Sequence, residues 1–126
     1  MQDVYTFNDQ KDFFELRPAA KQLARDIGFD IHGSLNISST VDNLVQMVSA
    51  IGKNLDISMK TVKNGKTDGF EFSIKALTDT KMSNSFSING HLSSGFITIT
   101  RQMDNVCISS CEGELQLVIR KWIPDA

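Results

Sequence analysis

Between Ile37 and Ala76 the spacing of apolar side chains switches from three or four residues to two, and that switch restricts the chain to helices packed on a sheet. Ile37, Val41, Leu44, Val48 and Ile51 recur at steps of four and three, which places them on one stripe of a helix. Ser38 or Ser39 near its start and Gly52 just past its end supply the boundary signals. From Leu55 the pattern alternates: Leu55, Ile57, Met59 and Thr61 stand against Asp56, Ser58 and Lys60. After Asn64-Gly65, a pair suited to a turn with positive φ, Phe70, Phe72, Ile74 and Ala76 repeat the alternation. Two strands of one hairpin, each with a single buried face, follow from this pattern.

The same reasoning extends to both ends of the chain. Val106 and Ile108, then Leu115, Leu117 and Ile119, predict a second hairpin closed by Cys111-Glu112-Gly113. Val4 to Phe7 reads as a short edge strand ended by Asn8 and Asp9. Phe13, Leu16, Ala20, Leu23, Ala24 and Ile27 recur at helical spacing up to Gly28, with Asp12 and Glu15 as an N-cap signal. Pro18 lacks a backbone donor and clashes with the turn before it, so this helix either kinks there or begins near Arg17; the kink is the expectation. The fold class expected is α/β (α+β): a two-layer sandwich of four main strands and an edge strand with helices on one face.

A chain of 126 residues has room for one domain, spanning 1–126, and for a core that buries about two thirds of the unfolded surface. The formal net charge of −2 argues against a nucleic-acid partner, since phosphate binding concentrates Lys and Arg. No apolar run approaches the ~20 residues of a membrane span, and the first residues lack the basic start and apolar run of a secretory signal, so a cytoplasmic protein that does not meet the membrane is expected. Cys107 and Cys111 form neither a zinc set nor a disulfide framework. His32 and His91 have no ligand-forming partners at metal spacing and read as surface residues, so no metal site is expected. With no G-x-S-x-G turn and two distant histidines, hydrolase chemistry has no support either.

Residues 78–95 are rich in Ser, Thr and Asn without periodicity, as in a functional loop. Phe96-Ile97-Thr98-Ile99-Thr100-Arg101 then alternates like a strand.

The order of these segments resembles a known family. Lys21-Gln22-Leu23-Ala24-Arg25-Asp26-Ile27-Gly28-Phe29, the helix of Asn43, the hairpin, Phe86-Ser87-x-x-Gly90-x-Leu92-x-x-Gly95 and the closing Glu112-Gly113 with Ile119-Arg120-Lys121-Trp122 look like the RsbT/RsbW anti-sigma-factor serine kinases of the GHKL (Bergerat-fold, histidine-kinase-like) ATPase superfamily. The likeness runs from about Val4 to Trp122. It implies a mixed, mostly antiparallel sheet covered on one side by helices, with ATP and magnesium held between a helix, a strand end and a glycine-rich lid.

At the positions that matter the sequence departs from that family. The helix of such kinases carries an acid and, four residues on, an asparagine that coordinates magnesium; Asn43 and Met47 stand there instead. An amide cannot serve as a general base at neutral pH, and a thioether is a poor ligand for a cation that demands oxygen. The adenine-binding D-x-G-x-G falls on Ala76-Leu77-Thr78-Asp79-Thr80, which removes the acceptor and adds side chains at Thr78 and Thr80. Losing one charge-assisted hydrogen bond of about 1.5–3 kcal/mol weakens binding by roughly 10- to 150-fold. The lid keeps Gly90 and Gly95 but carries His91 and Ser93. Asn43, Met47, Ala76, Thr78, Thr80, Gly90 and Gly95 are therefore expected as relics of a nucleotide pocket, with no catalytic residue and no cofactor.

What the resemblance implies is a pseudokinase-like regulator acting by partner switching, with a STAS-domain protein, a phosphatase module or a sigma factor as partner. Phe86, Leu92 and Phe96 are candidates for an apolar binding patch, and homodimerisation through the N-terminal strand and helix is a further expectation. The alternative is an ATP-dependent serine/threonine kinase using ATP and Mg to phosphorylate a STAS-domain protein.

Overall fold

A computed structural model describes residues 4–7, 10–78, 87–88, 91–92, 101–111 and 113–124. Two helices form one layer. A 3-10 helix, Gln10–Glu15, leads into α1, Leu16–Ile27, and α2 covers Ile31–Ile51. Pro18 does not kink α1: it lies in the first turn, where a missing backbone donor leaves no intrahelical bond unmade. Asp12 falls inside the 3-10 helix, and Glu15 at the N-cap of α1 makes no side-chain capping bond, so the expected Asp12 cap is replaced by a tighter helical lead-in. Gly28, at φ 125, ends α1 and donates its N–H to the Ala24 carbonyl.

α2 starts well before Ser38. Asp30 is its N-cap, its carboxylate accepting from the Gly33 N–H at 2.7 Å. Ser38 instead sits inside the helix, its hydroxyl donating to the Leu35 carbonyl, which removes its competing non-helical option. Gly52 closes α2 in extended conformation and opens the sheet.

Among the described residues, seven strands follow or flank the helices: β1 (Val4–Phe7), β2 (Gly52–Asn64), β3 (Thr67–Thr78), β4 (Ser87–Ile88), β5 (His91–Leu92), β6 (Asn105–Cys111) and β7 (Glu114–Trp122). Five of them form one sheet in the order β1-β2-β3-β7-β6. Every pairing described is antiparallel, so the mixed sheet implied by the family likeness is not what these strands form. The β2–β3 turn differs by one residue from the expected Asn64-Gly65: Asn64 pairs with Thr67, leaving Gly65 and Lys66 as the loop, with Gly65 at φ 64. Cys111 pairs with Glu114, and Gly113 takes φ 81 in the β6–β7 turn. Within the segment read as a loop, Ser87 pairs with Leu92 and Ile88 with His91, a small separate hairpin. At 96–103, where strand-like alternation competes with the crossing helix that the family likeness implies, residues 101–103 form a turn and an irregular position, neither strand nor helix, and 96–100 lie outside the described residues.

The core sits between the layers and forms one cluster. Ile37, Val41, Leu44 and Val48 of α2 meet Ile57 and Met59 of β2, Phe70, Phe72 and Ile74 of β3, and Leu117 and Ile119 of β7, all buried. Leu16, Ala20, Leu23 and Ala24 bring α1 into the same cluster. The hydrophobic effect over this interface, about 25 cal/mol for each Å² of apolar surface buried, is the main force holding helices to sheet. Among the described residues no helix is long and apolar enough to cross a membrane.

Candidate functional site

Two regions of the molecule present polar groups in a defined arrangement: one flank of α2 with the adjoining strand end, and the sheet face that the helices leave bare.

The α2 flank follows from helix geometry. At about 100° per residue, Asn43 and Met47 project about a quarter turn from the sheet-facing stripe of Ile37, Leu44 and Val48. Asn43 is exposed, and Met47 is half-buried and packs on the core. The strand end is brought to the same end of the sheet by register: Gly52, immediately after α2, pairs with Thr78, and Lys53 pairs with Leu77. Ala76 points into the helix-facing core and is buried. A bulge lies beside it, where Asn54 and Leu55 of β2 oppose Ala76 between the Lys53–Leu77 and Asp56–Lys75 pairs. Asn54 takes φ 55, a left-handed conformation that Asn tolerates better than branched residues.

Ala76 and Thr78 therefore lie at the end of the sheet where α2 finishes, with Met47 about one turn and Asn43 about two turns before that helix end. Thr80, Phe86, Gly90, Gly95 and Phe96 lie outside the described residues, and Leu92 is described only as the β5 partner of Ser87.

One carboxylate is close in sequence to this flank, but it faces elsewhere. Asp42 projects about 100° round the helix from Asn43, away from Met47, and is half-buried. There its Oδ2 accepts a hydrogen bond from Gln46 Nε2 at 3.0 Å. Asp42 and Gln46 thus form an acid and amide one turn apart, occupied with each other rather than with the flank. The only groups that α2 offers on the flank one turn apart at 43 and 47 are an amide and a thioether.

The bare face of the sheet is more organised. Lys60, Glu71 and Arg120 stand opposite one another on β2, β3 and β7, forming a row across three strands. Arg120 Nε donates to Glu71 Oε1 at 2.6 Å, and Lys60 Nζ lies 3.3 Å from Glu71 Oε2. The Glu71 carboxylate is 10% exposed, whereas the Lys60 and Arg120 side chains keep 41% and 45% of their surface in solvent. An acid buried in this way is tolerated because both its oxygens face cations.

Next along the strands, the Ser58 and Ser73 hydroxyls share a hydrogen bond of 2.7 Å, and beyond them Asp56, Lys75 and Gln116 form a third row. At the opposite end, Trp122 lies across Gly69: a Cβ there would come within 2.5 Å of the indole and 2.9 Å of the Lys121 carbonyl. The indole Nε1 donates to Asn105 Oδ1 at 3.0 Å, and the Trp122 N–H to Asp104 Oδ2 at 2.8 Å. No described group of three or more His, Cys, Asp or Glu is placed to hold a metal ion.

Nothing in the sequence pattern announces the Lys60–Glu71–Arg120 row. Each member occupies a polar position of an alternating strand, which is the ordinary place for a charge. Only the register, which sets Glu71 opposite both cations, turns three such charges into a cluster. Comparison with models of known protein families and with curated proteins finds no match to this chain.

Proposed function

We propose that this chain is a non-catalytic regulatory binding protein that acts through protein contacts, on a scaffold resembling that of the anti-sigma-factor serine kinases. The observation that carries the reading is the pairing of Asp42 with Gln46, turned away from the Asn43–Met47 flank of α2. Among the described residues, the flank at Asn43 and Met47 is then without a carboxylate to activate a hydroxyl, and Met47 offers a thioether where magnesium requires oxygen. Recruiting Asp42 would mean rotating α2 by about 100°. That rotation would withdraw Leu44 and Val48 from the core, where both are fully buried.

The element order supports the same reading: a short strand, two helices and two hairpins, with the C-terminal end of α2 beside the end of β3. The fold class established is the coarser one, an antiparallel sheet with two helices on one face; membership of the GHKL superfamily is part of the proposal. By that likeness the partner is a STAS-domain protein, a phosphatase module or a sigma factor in a partner-switching pathway in the cytoplasm. Pull-down from native cells followed by a phosphate-transfer assay on the captured protein tests the proposal. Capture of such a partner without transfer supports it, and transfer of phosphate from ATP to the partner overturns it in favour of a serine/threonine kinase.

A further inference from the structure

The bare sheet face carries charges whose sign reverses along its central strands. Among the described residues, only side chains of the sheet line the hollows on this face. The register sets Ser58, Ser73, Val118 and Cys107 in one row across β2, β3, β7 and β6. Two residues to one side of that row stand Lys60, Glu71 and Arg120, and two residues to the other stand Asp56, Lys75 and Gln116. On β2 a cation is thus answered by an acid across the row, and on β3 an acid by a cation. In the next row Lys53 and Glu114 flank Leu77 with opposite charges. Four cations against three acids leave these rows within one charge of neutral, which draws in neither a polyanion nor a polycation.

We propose that this face docks a second copy of the chain about a two-fold axis running along the Ser58–Ser73–Val118 row. Such an axis turns each strand end for end. Lys60 of one copy then faces Asp56 of the other, Glu71 faces Lys75, and Arg120 faces the neutral Gln116, each contact occurring twice. An axis along β3 instead sets Glu71 on Glu71, Lys75 on Lys75 and Lys60 on Arg120, like charge on like. The charge pattern therefore selects one of the two ways in which this face can meet itself. Apolar groups agree with that choice: Leu77, 46% exposed, falls opposite Gly69 and the Trp122 indole that lies across it. The serines and valine of the central row are short, so the sheets can approach the ~10 Å of a sandwich while longer charged side chains meet on either side. Four strands and the length from Gly69 to Leu77 give a footprint of roughly 500 Å² per copy, at the low end of specific interfaces, so a dimer dissociating in the tens of micromolar is expected, on the order of weak complexes of this size. The face lies across the sheet from the helix layer that carries Asn43 and Met47, so dimerisation and loss of nucleotide binding succeed or fail separately. It also differs from the N-terminal strand and helix, where the family likeness would place a homodimer contact.

Sedimentation equilibrium of the full chain, from about 5 to about 500 µM in about 50 mM salt, tests the proposal. A reversible monomer–dimer equilibrium is expected. Asp56→Lys sets a cation against Lys60 at both symmetric contacts and raises Kd by at least about tenfold. Glu15→Lys makes the same charge change at an exposed residue of the helix layer whose side chain makes no capping bond, and it leaves Kd within about twofold. Should circular dichroism show Asp56→Lys to be unfolded, Lys75→Glu, which sets acid on Glu71, takes its place with the same expected loss. Cys107 is exposed in the central row and faces its own counterpart across the axis. In a Cys111→Ser chain, a short bismaleimide therefore joins two copies through Cys107, and Asp56→Lys suppresses that product. A chain that stays monomeric over the whole range overturns the proposal. So does equal weakening by Glu15→Lys, or a cross-linked yield that Asp56→Lys leaves unchanged.

Discussion

Replacing Gly69 by Ala tests the packing of the bare sheet face at one atom. Gly69 pairs with Val62 on one side and Trp122 on the other, and the added Cβ would meet Trp122 Cε3 at 2.5 Å, Cζ3 at 2.9 Å and the Lys121 carbonyl at 2.9 Å. The indole can move away only by giving up its bond to Asn105, and the carbonyl belongs to the strand backbone. Overpacking of this kind costs about 1–3 kcal/mol, and the lost indole hydrogen bond adds about 1 kcal/mol. Alanine returns about 0.5–1 kcal/mol by restricting the unfolded chain. The net effect is a loss of about 1–3 kcal/mol, or a fall in Tm of roughly 4–11 °C for a chain of this size. Thermal denaturation by circular dichroism measures it. In a Trp122→Ala background the indole clash is gone, and most of the penalty of Gly69→Ala goes with it. A Gly69→Ala protein as stable as the parent, or an unchanged penalty in that background, would refute the argument.

Further outcomes follow from other contacts. Asp30→Ala removes the α2 cap and lowers stability by about 1 kcal/mol in urea denaturation, whereas an unchanged midpoint would mean that α2 does not begin there. Glu71→Gln keeps the shape but discharges the acceptor between Lys60 and Arg120; it destabilises by about 1–2 kcal/mol at low salt, and a loss of less than a few tenths would show that the row contributes nothing. Phe72→Ala, in the centre of the core, costs about 3–5 kcal/mol, while Phe14→Ser, at a side chain 89% exposed, changes stability by less than about 0.5 kcal/mol. The reverse ranking by differential scanning calorimetry would mean that the helix layer is packed differently.

The two-layer architecture was legible in the sequence because burial on one face imposes a period that no other residue choice mimics. Leu44 and Val48 had to face the sheet, and Phe70, Phe72 and Ile74 had to face the helices, and all five are buried. Boundaries were less legible. Ser38 looks like a cap because serine caps helices often, but a serine hydroxyl also bonds back to a carbonyl within the helix, and at Leu35 it does so. Pro18 looks like a kink until the helix start is known, since the same ring is accommodated in a first turn.

For the candidate sites, the α2 flank was legible by spacing alone, as Asn43 and Met47 lie one turn apart in any helix. That Asp42 turns away from this flank and meets Gln46 is equally implicit in the 100° step. The Lys60–Glu71–Arg120 row was not legible. Its members are separated in sequence by a hairpin and by a further 49 residues, and strand register is set by turns and bulges whose offsets are not fixed locally.

Titration calorimetry of the full chain with ATP and excess magnesium bears most directly on the account. With an amide and a thioether at 43 and 47 and a buried Ala76 at the strand end, the account predicts no saturable heat at nucleotide concentrations up to about 1 mM. A dissociation constant in the micromolar range, abolished when magnesium is chelated, would contradict it.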